Sequence, residues 1–124
     1  MKTFLFIVAL AILISFNTKP ANNCVKVTCL NQKDTVSETL GEYKSYFLVE
    51  SLGDTLSNFD IRPSCGCEIA IWKKGMKVYP NHPDTVIIIS SLKDHAGRWI
   101  KMTTLSANNC TQLFYTGPWI VTKE

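Results

Sequence analysis

The sequence predicts an all-β domain, a β-sandwich of about seven strands, and three observations support that class. Short apolar or alternating runs recur between turn signals, roughly every eight to twelve residues. No long stretch beyond the N-terminus keeps a helical period. The chain has 124 residues, 46% of them hydrophobic and 19% charged, which is enough for one small domain with a modest core.

Each predicted strand follows from alternation or from a short apolar run bounded by turn residues. The seven segments are residues 25–29, 43–50, 56–61, 66–72, 86–89, 99–105 and about 112–121. The third segment is expected to end before Arg62, because Pro63 cannot donate a hydrogen bond to a central ladder. The last is expected to break at Gly117-Pro118, in a bulge or at a sheet edge. The continuous run from Val86 to Ile89 predicts a strand near the centre of the sandwich.

Polar, glycine and proline residues mark the connections between these strands. They are residues 31–34, 52–54, 73–75, 79–83, 94–97 and 107–109. Three aromatic side chains in or beside such connections are candidates for an exposed binding patch: Trp72, Tyr79 and Trp119.

The N-terminus has the pattern of a leader. Lys2 precedes an apolar run from Phe4 to Phe16 that only Ser15 interrupts, which is the anatomy of a signal peptide. As a helix that run would be about 20 Å long, short of the roughly 30 Å hydrocarbon core. We therefore expect residues 1–21 to be a signal peptide and residues 22–124 to form the exported domain, periplasmic or extracellular. Loss of the leader lowers the formal net charge from +3 to +1, so charge indicates no nucleic-acid partner.

Five cysteines are many for an exported chain of this length, and an oxidising compartment predicts disulfides among them. The candidates are Cys24, Cys29, Cys65, Cys67 and Cys110. Their odd number leaves one cysteine over, and spacing does not choose the pairs. One alternative is that Cys24 is lipidated as the N-terminus of an outer-membrane lipoprotein, although Ala21-Asn22-Asn23 is a poor match to the small apolar residues that should precede it.

Cys65-Gly66-Cys67 is the sharpest local motif. On a strand these cysteines would share one face, with Cα atoms about 6.6 Å apart, near the upper limit for a disulfide. A direct bridge therefore needs a kink, which Gly66 permits. Three interpretations stay open: structural cysteines, a redox pair, and a thiolate pair for a soft metal such as copper. The other soft or imidazole side chains are scattered: Met76, His82, His95 and Met102.

The order of motifs over residues 47–120 resembles the exported bacterial immunoglobulin-like family termed domain of unknown function 1573. The matching residues are Phe47, Gly53, Leu56, Ser64-Cys65-Gly66-Cys67, Pro80, Val86-Ile87-Ile88-Ile89, Gly97 to Lys101, Asn108 and Leu113 to Gly117. The chain departs from the family at Glu68, where threonine is usual, and at Pro80-Asn81-His82-Pro83, where the family has a Pro-Gly turn. The resemblance implies an immunoglobulin-like sandwich outside the cytoplasm, and it implies no activity.

The sequence lacks the motifs of nucleophilic, phosphate-binding and metal-dependent hydrolytic enzymes. We therefore expect no catalysis and no cofactor. The expected function is a binding or scaffolding module of the bacterial cell envelope, with an envelope protein or a glycan as partner, reached by strand addition or through loops. The alternative is a periplasmic thiol-redox or copper-binding protein that uses Cys65 and Cys67. Membrane contact is expected only through the leader or a lipid on Cys24.

Overall fold

The computed structural model describes residues 24–124, and these form ten strands and one short 3-10 helix, Glu38–Leu40. The strands are β1 (Val25–Cys29), β2 (Thr35–Ser37), β3 (Glu42–Ser51), β4 (Asp60–Pro63), β5 (Glu68–Ile71), β6 (Asp84–Ser91), β7 (Gly97–Arg98), β8 (Lys101–Ala107), β9 (Cys110–Thr116) and β10 (Ile120–Thr122). The predicted all-β class is confirmed. The predicted signal peptide, residues 1–21, lies outside the described residues. Within residues 24–124 no helix has the length and apolarity needed to cross a membrane.

The strands form three hydrogen-bonded sheets. One is antiparallel with the order β1-β3-β6-β5, and a second is antiparallel with the order β4-β8-β9. In the third, β2-β10-β7, β10 runs parallel to β2 and antiparallel to β7. Apolar side chains of the four-stranded sheet and of β4, β8 and β9 pack into one cluster, as in two sheets stacked face to face.

Most predicted strands match the structure at their centres and differ at their ends, but the third segment overlaps β4 only at residues 60 and 61. The first segment and the break at Gly117-Pro118 are confirmed, whereas the short strands β2 and β7 were not predicted. The third segment ends later than expected, because Pro63 belongs to β4 and pairs with Thr103. Proline is tolerated there since β4 is an edge strand and the bond from Ser64 N to Met102 O leaves the Pro63 nitrogen on the open side. Trp99, expected in a strand, lies between β7 and β8.

The fourth segment is shorter than predicted, and its cysteines do not lie on a strand. Residues 64–67 form a turn in which Glu68 N donates to Cys65 O at 3.2 Å. The expectation that Cys65 and Cys67 share one face of a strand is therefore wrong, because the chain bends before β5 begins. Within β5, Glu68 faces the interior with 5% of its surface exposed, and Ile69 faces outward with 62% exposed.

The interior contains two apolar clusters. Core 1 is formed by Val25, Phe47, Val49, Leu56, Ile61, Met76, Val78, Val86, Ile88, Leu105, Ala107 and Cys110. Core 2 is formed by Val36, Tyr43, Leu92, Trp99 and Val121, with Cys67 packed against it. Buried polar side chains lie on the strands that carry both cores: Ser45, Glu68, Ser90, Thr103 and Thr116.

A buried carboxylate links four of these five side chains across the sandwich, whereas Ser45 Oγ has no hydrogen-bond partner among the described residues. Ser90 Oγ on β6 and Thr116 Oγ1 on β9 each donate a hydrogen bond to Glu68, both at 2.7 Å. Thr103 Oγ1 on β8 lies 3.4 Å from Thr116 Oγ1 and donates to it. We term these four side chains the polar belt. Burying a carboxylate is costly unless it is hydrogen-bonded, so the two hydroxyl donors hold the facing sheets at the position of Glu68.

Core 2 depends on a close approach between Trp99 and the chain at Gly117. Trp99 is 1% exposed, and a Cβ added to Gly117 would lie 2.8 Å from Trp99 Cδ1. Gly117 also has a φ of +83°, a left-handed conformation that glycine adopts without strain. Both constraints require glycine at this bend between β9 and β10.

Gly117→Ala is expected to lower the free energy of unfolding by about 3 kcal/mol, from left-handed strain and overpacking against Trp99. Gly75→Ala is the matched control, because Gly75 also has a positive φ, +69°, and open space around its Cα. The control is expected to lose only the backbone share, about 1–2 kcal/mol. Urea denaturation measures both; equal losses would contradict the proposed contact.

Glu68→Leu is expected to lower the free energy of unfolding by about 2–3 kcal/mol, because the Ser90 and Thr116 hydroxyls lose their buried acceptors. Glu68→Gln keeps an acceptor oxygen and nearly the same volume, and its cost is expected to be about 1 kcal/mol or less. Chemical denaturation compares the two variants. A leucine variant as stable as the glutamine variant would show that the hydrogen bonds of the belt do not stabilise the fold.

Candidate functional site

The strand directions place the connections at two ends of the sandwich. Segments 52–59, 72–83 and 108–109 lie at one end, because β3 ends beside the start of β6 at Val49↔Asp84, β8 ends beside the start of β9 at Ala107↔Cys110, and Asn108 binds Ser57. We term these three segments the loop end. The other end carries segments 64–67, 92–96 and 117–119, and we term it the cysteine end after Cys65 and Cys67.

A disulfide joins the two sheets at the loop end. Cys24 and Cys110 are bonded, with their Cα atoms 6.1 Å apart, so the expectation of a disulfide is confirmed for this pair. Cys24 immediately precedes β1 and Cys110 begins β9, and each of these strands is an edge strand of its sheet. The bridge thus ties one edge of the sandwich closed. A sulfur atom in this bridge has no valence left for the thioether of a lipidated cysteine.

Asn108 links two of the three loops. Its Oδ1 accepts hydrogen bonds from Ser57 N at 3.3 Å and Ser57 Oγ at 2.9 Å, and its Nδ2 donates to Thr55 O at 3.0 Å. Its backbone N–H also donates to Ser57 O. The third loop is attached by the reciprocal backbone hydrogen bonds between Leu56 and Val78, both at 2.9 Å. The loop end is therefore a cross-linked surface rather than three independent loops.

Two neighbouring clefts open beside these loops. The first has a volume of about 500 Å³ and is lined by Phe59, Ala70, Ile71, Trp72, Lys74 and Gly75. The second has a volume of about 270 Å³ and is lined by Ser57, Asn58, Phe59, Trp72, Gly75, Met76 and Lys77. Both clefts share Phe59 and Trp72, which form their common wall. The two aromatic side chains are half-buried and pack on core 1, so the core fixes their positions.

The charged residues that line these two clefts are both lysines. Lys74 lines the first cleft and Lys77 the second, and both side chains are exposed. Neither cleft is lined by an aspartate or glutamate, and within residues 24–124 the only ion pair is that between Asp60 and Arg62. The two lysine charges are thus available to an anionic ligand.

The structure divides the predicted aromatic patch. Trp72 and Tyr79 both belong to the loop-end segment 72–83, whereas Trp119 lies at the cysteine end, 5.8 Å from Tyr115 between ring centroids. The second aromatic residue that lines both clefts is Phe59, which was predicted to lie in a strand. Phe59 instead precedes β4 and lines both clefts.

Cys65 and Cys67 form the second disulfide, with Cα atoms 5.1 Å apart across Gly66. The bend needed for a direct bridge occurs in the turn 64–67. Cys67 N donates a hydrogen bond to Cys65 Sγ at 3.1 Å, and both side chains are half-buried. A separate cleft of about 350 Å³ borders this turn, lined by Leu40, Gly41, Glu42, Gly66, Cys67, Ile69, Ile89 and Ser91.

Cys29 is the free cysteine among the described residues, and it is half-buried at the end of β1. Its Sγ lies 3.8 Å from Asn31 Oδ1. The phenol of the neighbouring Tyr43 donates a hydrogen bond to Asn31 O. Burial raises the pKa of Tyr43 above its usual value, and the nearby Cys29 raises it further.

The scattered soft and imidazole side chains are not brought together. Met76 is buried in core 1, and His82 lies in segment 72–83. His95 contacts Trp99 edge-to-face at the cysteine end, with ring centroids 5.6 Å apart. Within residues 24–124, no group of three or more His, Cys, Asp or Glu side chains has the geometry of a metal site.

Two residues of the loop end were missed from the sequence. Asn108 lies in a correctly predicted turn, and its φ of 54° is a left-handed value that asparagine tolerates better than most residues. The turn signal gave no indication that Asn108 binds Ser57, because these residues are 51 positions apart. Phe59 was missed because Trp72, which lines the same clefts, belongs to another loop.

No family model, curated protein or solved structure matches this chain. The resemblance over residues 47–120 therefore stays a prediction.

The two disulfides are expected to differ in their contribution to stability, because the Cys24–Cys110 bridge spans 86 residues and the Cys65–Cys67 bridge only 2. Loop-closure entropy predicts a loss of about 4–5 kcal/mol for Cys24→Ser/Cys110→Ser and of about 1–2 kcal/mol for Cys65→Ser/Cys67→Ser. Thermal unfolding of the two double variants measures the contrast. A larger loss from the short bridge would contradict the entropic account.

Proposed function

We propose that this chain is an exported immunoglobulin-like module that binds a component of the bacterial cell envelope through its loop end. The strand orders β1-β3-β6-β5 and β4-β8-β9 support the fold assignment. They correspond to the A-B-E-D and C-F-G sheets of an immunoglobulin constant domain when these seven strands are lettered in chain order, with β2, β7 and β10 as additional short strands. In variable domains of that fold, loops at one end of the sandwich carry recognition.

The observation that carries the proposal is the cross-linked loop end with the two adjacent clefts that share Phe59 and Trp72. Asn108, the Leu56–Val78 hydrogen bonds and the Cys24–Cys110 disulfide fix the loops before any ligand arrives. A surface ordered in advance loses little conformational entropy on binding. Function is often carried by loops that a rigid scaffold holds in place.

The edges formed by β4 and β5 support recognition through loops over strand addition at these two strands. β4 carries Pro63 and the Asp60–Arg62 ion pair at its edge. β5 is only four residues long, and its Glu68 points inward. Proline, charges, short length and inward-pointing charged residues are the features by which natural edge strands avoid pairing with another chain.

The cysteines support the proposed compartment. Two disulfides in a small domain are typical of an oxidising environment outside the cytoplasm. Because Cys24 Sγ is bonded to Cys110, the proposal places no lipid on Cys24. Intact mass of the exported protein, before and after reduction and thiol labelling, reports the cleavage site, the absence of a lipid and the state of every cysteine.

Retention of the oxidised domain on a bacterial envelope fraction tests the proposed function. Trp72→Leu is expected to lower retention about tenfold, because it removes the shared aromatic wall while keeping an apolar side chain on core 1. Trp119→Leu is the matched control at the cysteine end, where Trp119 is 43% exposed. Unfolding curves establish that both variants are folded. The proposal is wrong if Trp72→Leu does not lower retention, if Trp119→Leu lowers it as much, or if the domain shows turnover that Cys65→Ser abolishes.

A second candidate function is thiol–disulfide exchange at the Cys65–Cys67 bridge, and the contact between Cys67 N and Cys65 Sγ favours it. When a partner dithiol reduces the bridge, the partner is oxidised to a disulfide and Cys65 and Cys67 each gain one hydrogen equivalent. The Cys67 N–H would then face the Cys65 sulfur, and a backbone donor stabilises a thiolate.

Equilibration with a series of dithiothreitol and glutathione buffers tests this second function. Redox activity predicts that Cys65–Cys67 is reduced in buffers that leave Cys24–Cys110 oxidised, as read by alkylation and peptide mass. If both bridges resist these buffers equally, Cys65–Cys67 is a structural disulfide and the second function is excluded.

A further inference from the structure

We infer that the two clefts of the loop end are adjacent subsites for an acidic oligosaccharide, with one anionic sugar ring in each cleft. The inference rests on the proposed function, since it names the ligand class of the same surface. Four features of the clefts support it: the aromatic wall that they share, the lysine that lines each one, the side-chain amide of Asn58 in the smaller cleft, and their volumes.

The shared wall makes the clefts neighbouring subsites of one ligand. Phe59 and Trp72 line both, and Gly75 lies at their junction. The negative face of an aromatic ring attracts polarised C–H groups, which the faces of a pyranose ring present. Because core 1 holds both aromatic side chains, little side-chain entropy is lost when a sugar packs against them.

The charge of the clefts selects an anion. Each cleft has one exposed lysine, Lys74 or Lys77, and no carboxylate in its lining. Within the described part of the chain neither lysine has an acidic partner. One cation per cleft matches a polymer with one negative charge per sugar, such as a chain of uronic acids.

Hydrogen-bonding groups are present in the smaller cleft. Asn58, held in a left-handed conformation with φ 55°, lines it, and the amide of Asn58 makes no hydrogen bond to another described residue. The neighbouring Ser57 hydroxyl donates to Asn108 and keeps acceptor capacity. A side-chain amide provides both donors and an acceptor, which is what a sugar hydroxyl requires.

The size of the clefts favours an oligosaccharide over a protein partner. Cavities of about 270 and 500 Å³ lie near the range of small-ligand sites. A stable protein interface would instead need roughly 800 Å² on each partner. An acidic peptide is the competing ligand, since it would use the same two lysines.

Isothermal titration of the oxidised domain with galacturonic acid, its dimer and its tetramer tests the inference. The tetramer is expected to bind at least about tenfold more tightly than the monomer, because the second ring binds intramolecularly. A neutral galactose tetramer is expected to bind more weakly than the acidic one. Lys74→Gln and Lys77→Gln are each expected to weaken binding of the acidic tetramer about two- to fivefold and to reduce its salt dependence. Lys44→Gln, at an exposed lysine on β3, is the matched control and is expected to change neither.

The outcomes separate this inference from the proposed function. If the acidic tetramer does not bind, binds no better than the neutral one, or binds with unchanged affinity in both lysine variants, the inference is wrong. It is also wrong if a tetraglutamate peptide binds as tightly as the acidic tetramer. In each case the proposed function stands as long as Trp72→Leu, unlike Trp119→Leu, still lowers retention on the envelope fraction, and it fails if that effect is absent.

Discussion

The fold depends on one buried carboxylate. Glu68 lies between the facing sheets and is held by Ser90 from its own sheet and Thr116 from the other. No cation accompanies it within residues 24–124, so these hydroxyl groups provide its stabilisation. The polar belt occurs where the interior changes from core 1 to core 2. A buried polar network that is fully hydrogen-bonded tolerates few alternative registers, because a one-residue slip of β5 would place the carboxylate outside and Ile69 inside.

Each of the two cores supports one end of the molecule. Core 1 supports the loop end, where it positions Phe59 and Trp72, and the Cys24–Cys110 disulfide closes the sandwich beside it. Core 2 supports the cysteine end, where Trp99 packs against Gly117 and Cys67 contacts the cluster. Recognition is assigned to the loop end because clefts, unpaired lysines and cross-linked loops coincide there. The short disulfide at the cysteine end constrains a single turn, and the thiol–disulfide exchange proposed for it is the second candidate function.

The sequence was sufficient for the fold class and for most strand centres, since alternation such as that of residues 25–29 depends only on local burial. It was insufficient where one long-range contact decides. Pro63 is tolerated in β4 because β4 is an edge strand, and edge position is a property of the whole sheet. The inward orientation of Glu68 depends on two hydroxyls from distant strands. The candidate site was only partly predictable. Trp72 was predicted as a candidate for a binding patch, whereas the roles of Phe59 and Asn108 depend on loops that meet only in the folded chain.

Nuclear magnetic resonance mapping tests most directly the proposal that the loop end binds envelope glycan. The oxidised, isotope-labelled domain is titrated with glycan released from the bacterial envelope. We expect the amide chemical shifts to change in segments 52–59 and 72–77, with the largest changes near Phe59, Trp72 and Lys77. The amide chemical shifts of the turn 64–67 and of the residues around Tyr115 and Trp119 are expected to stay unchanged. Changes centred on the cysteine end, or on the outer face of the four-stranded sheet, would contradict the assignment of recognition to the loop end.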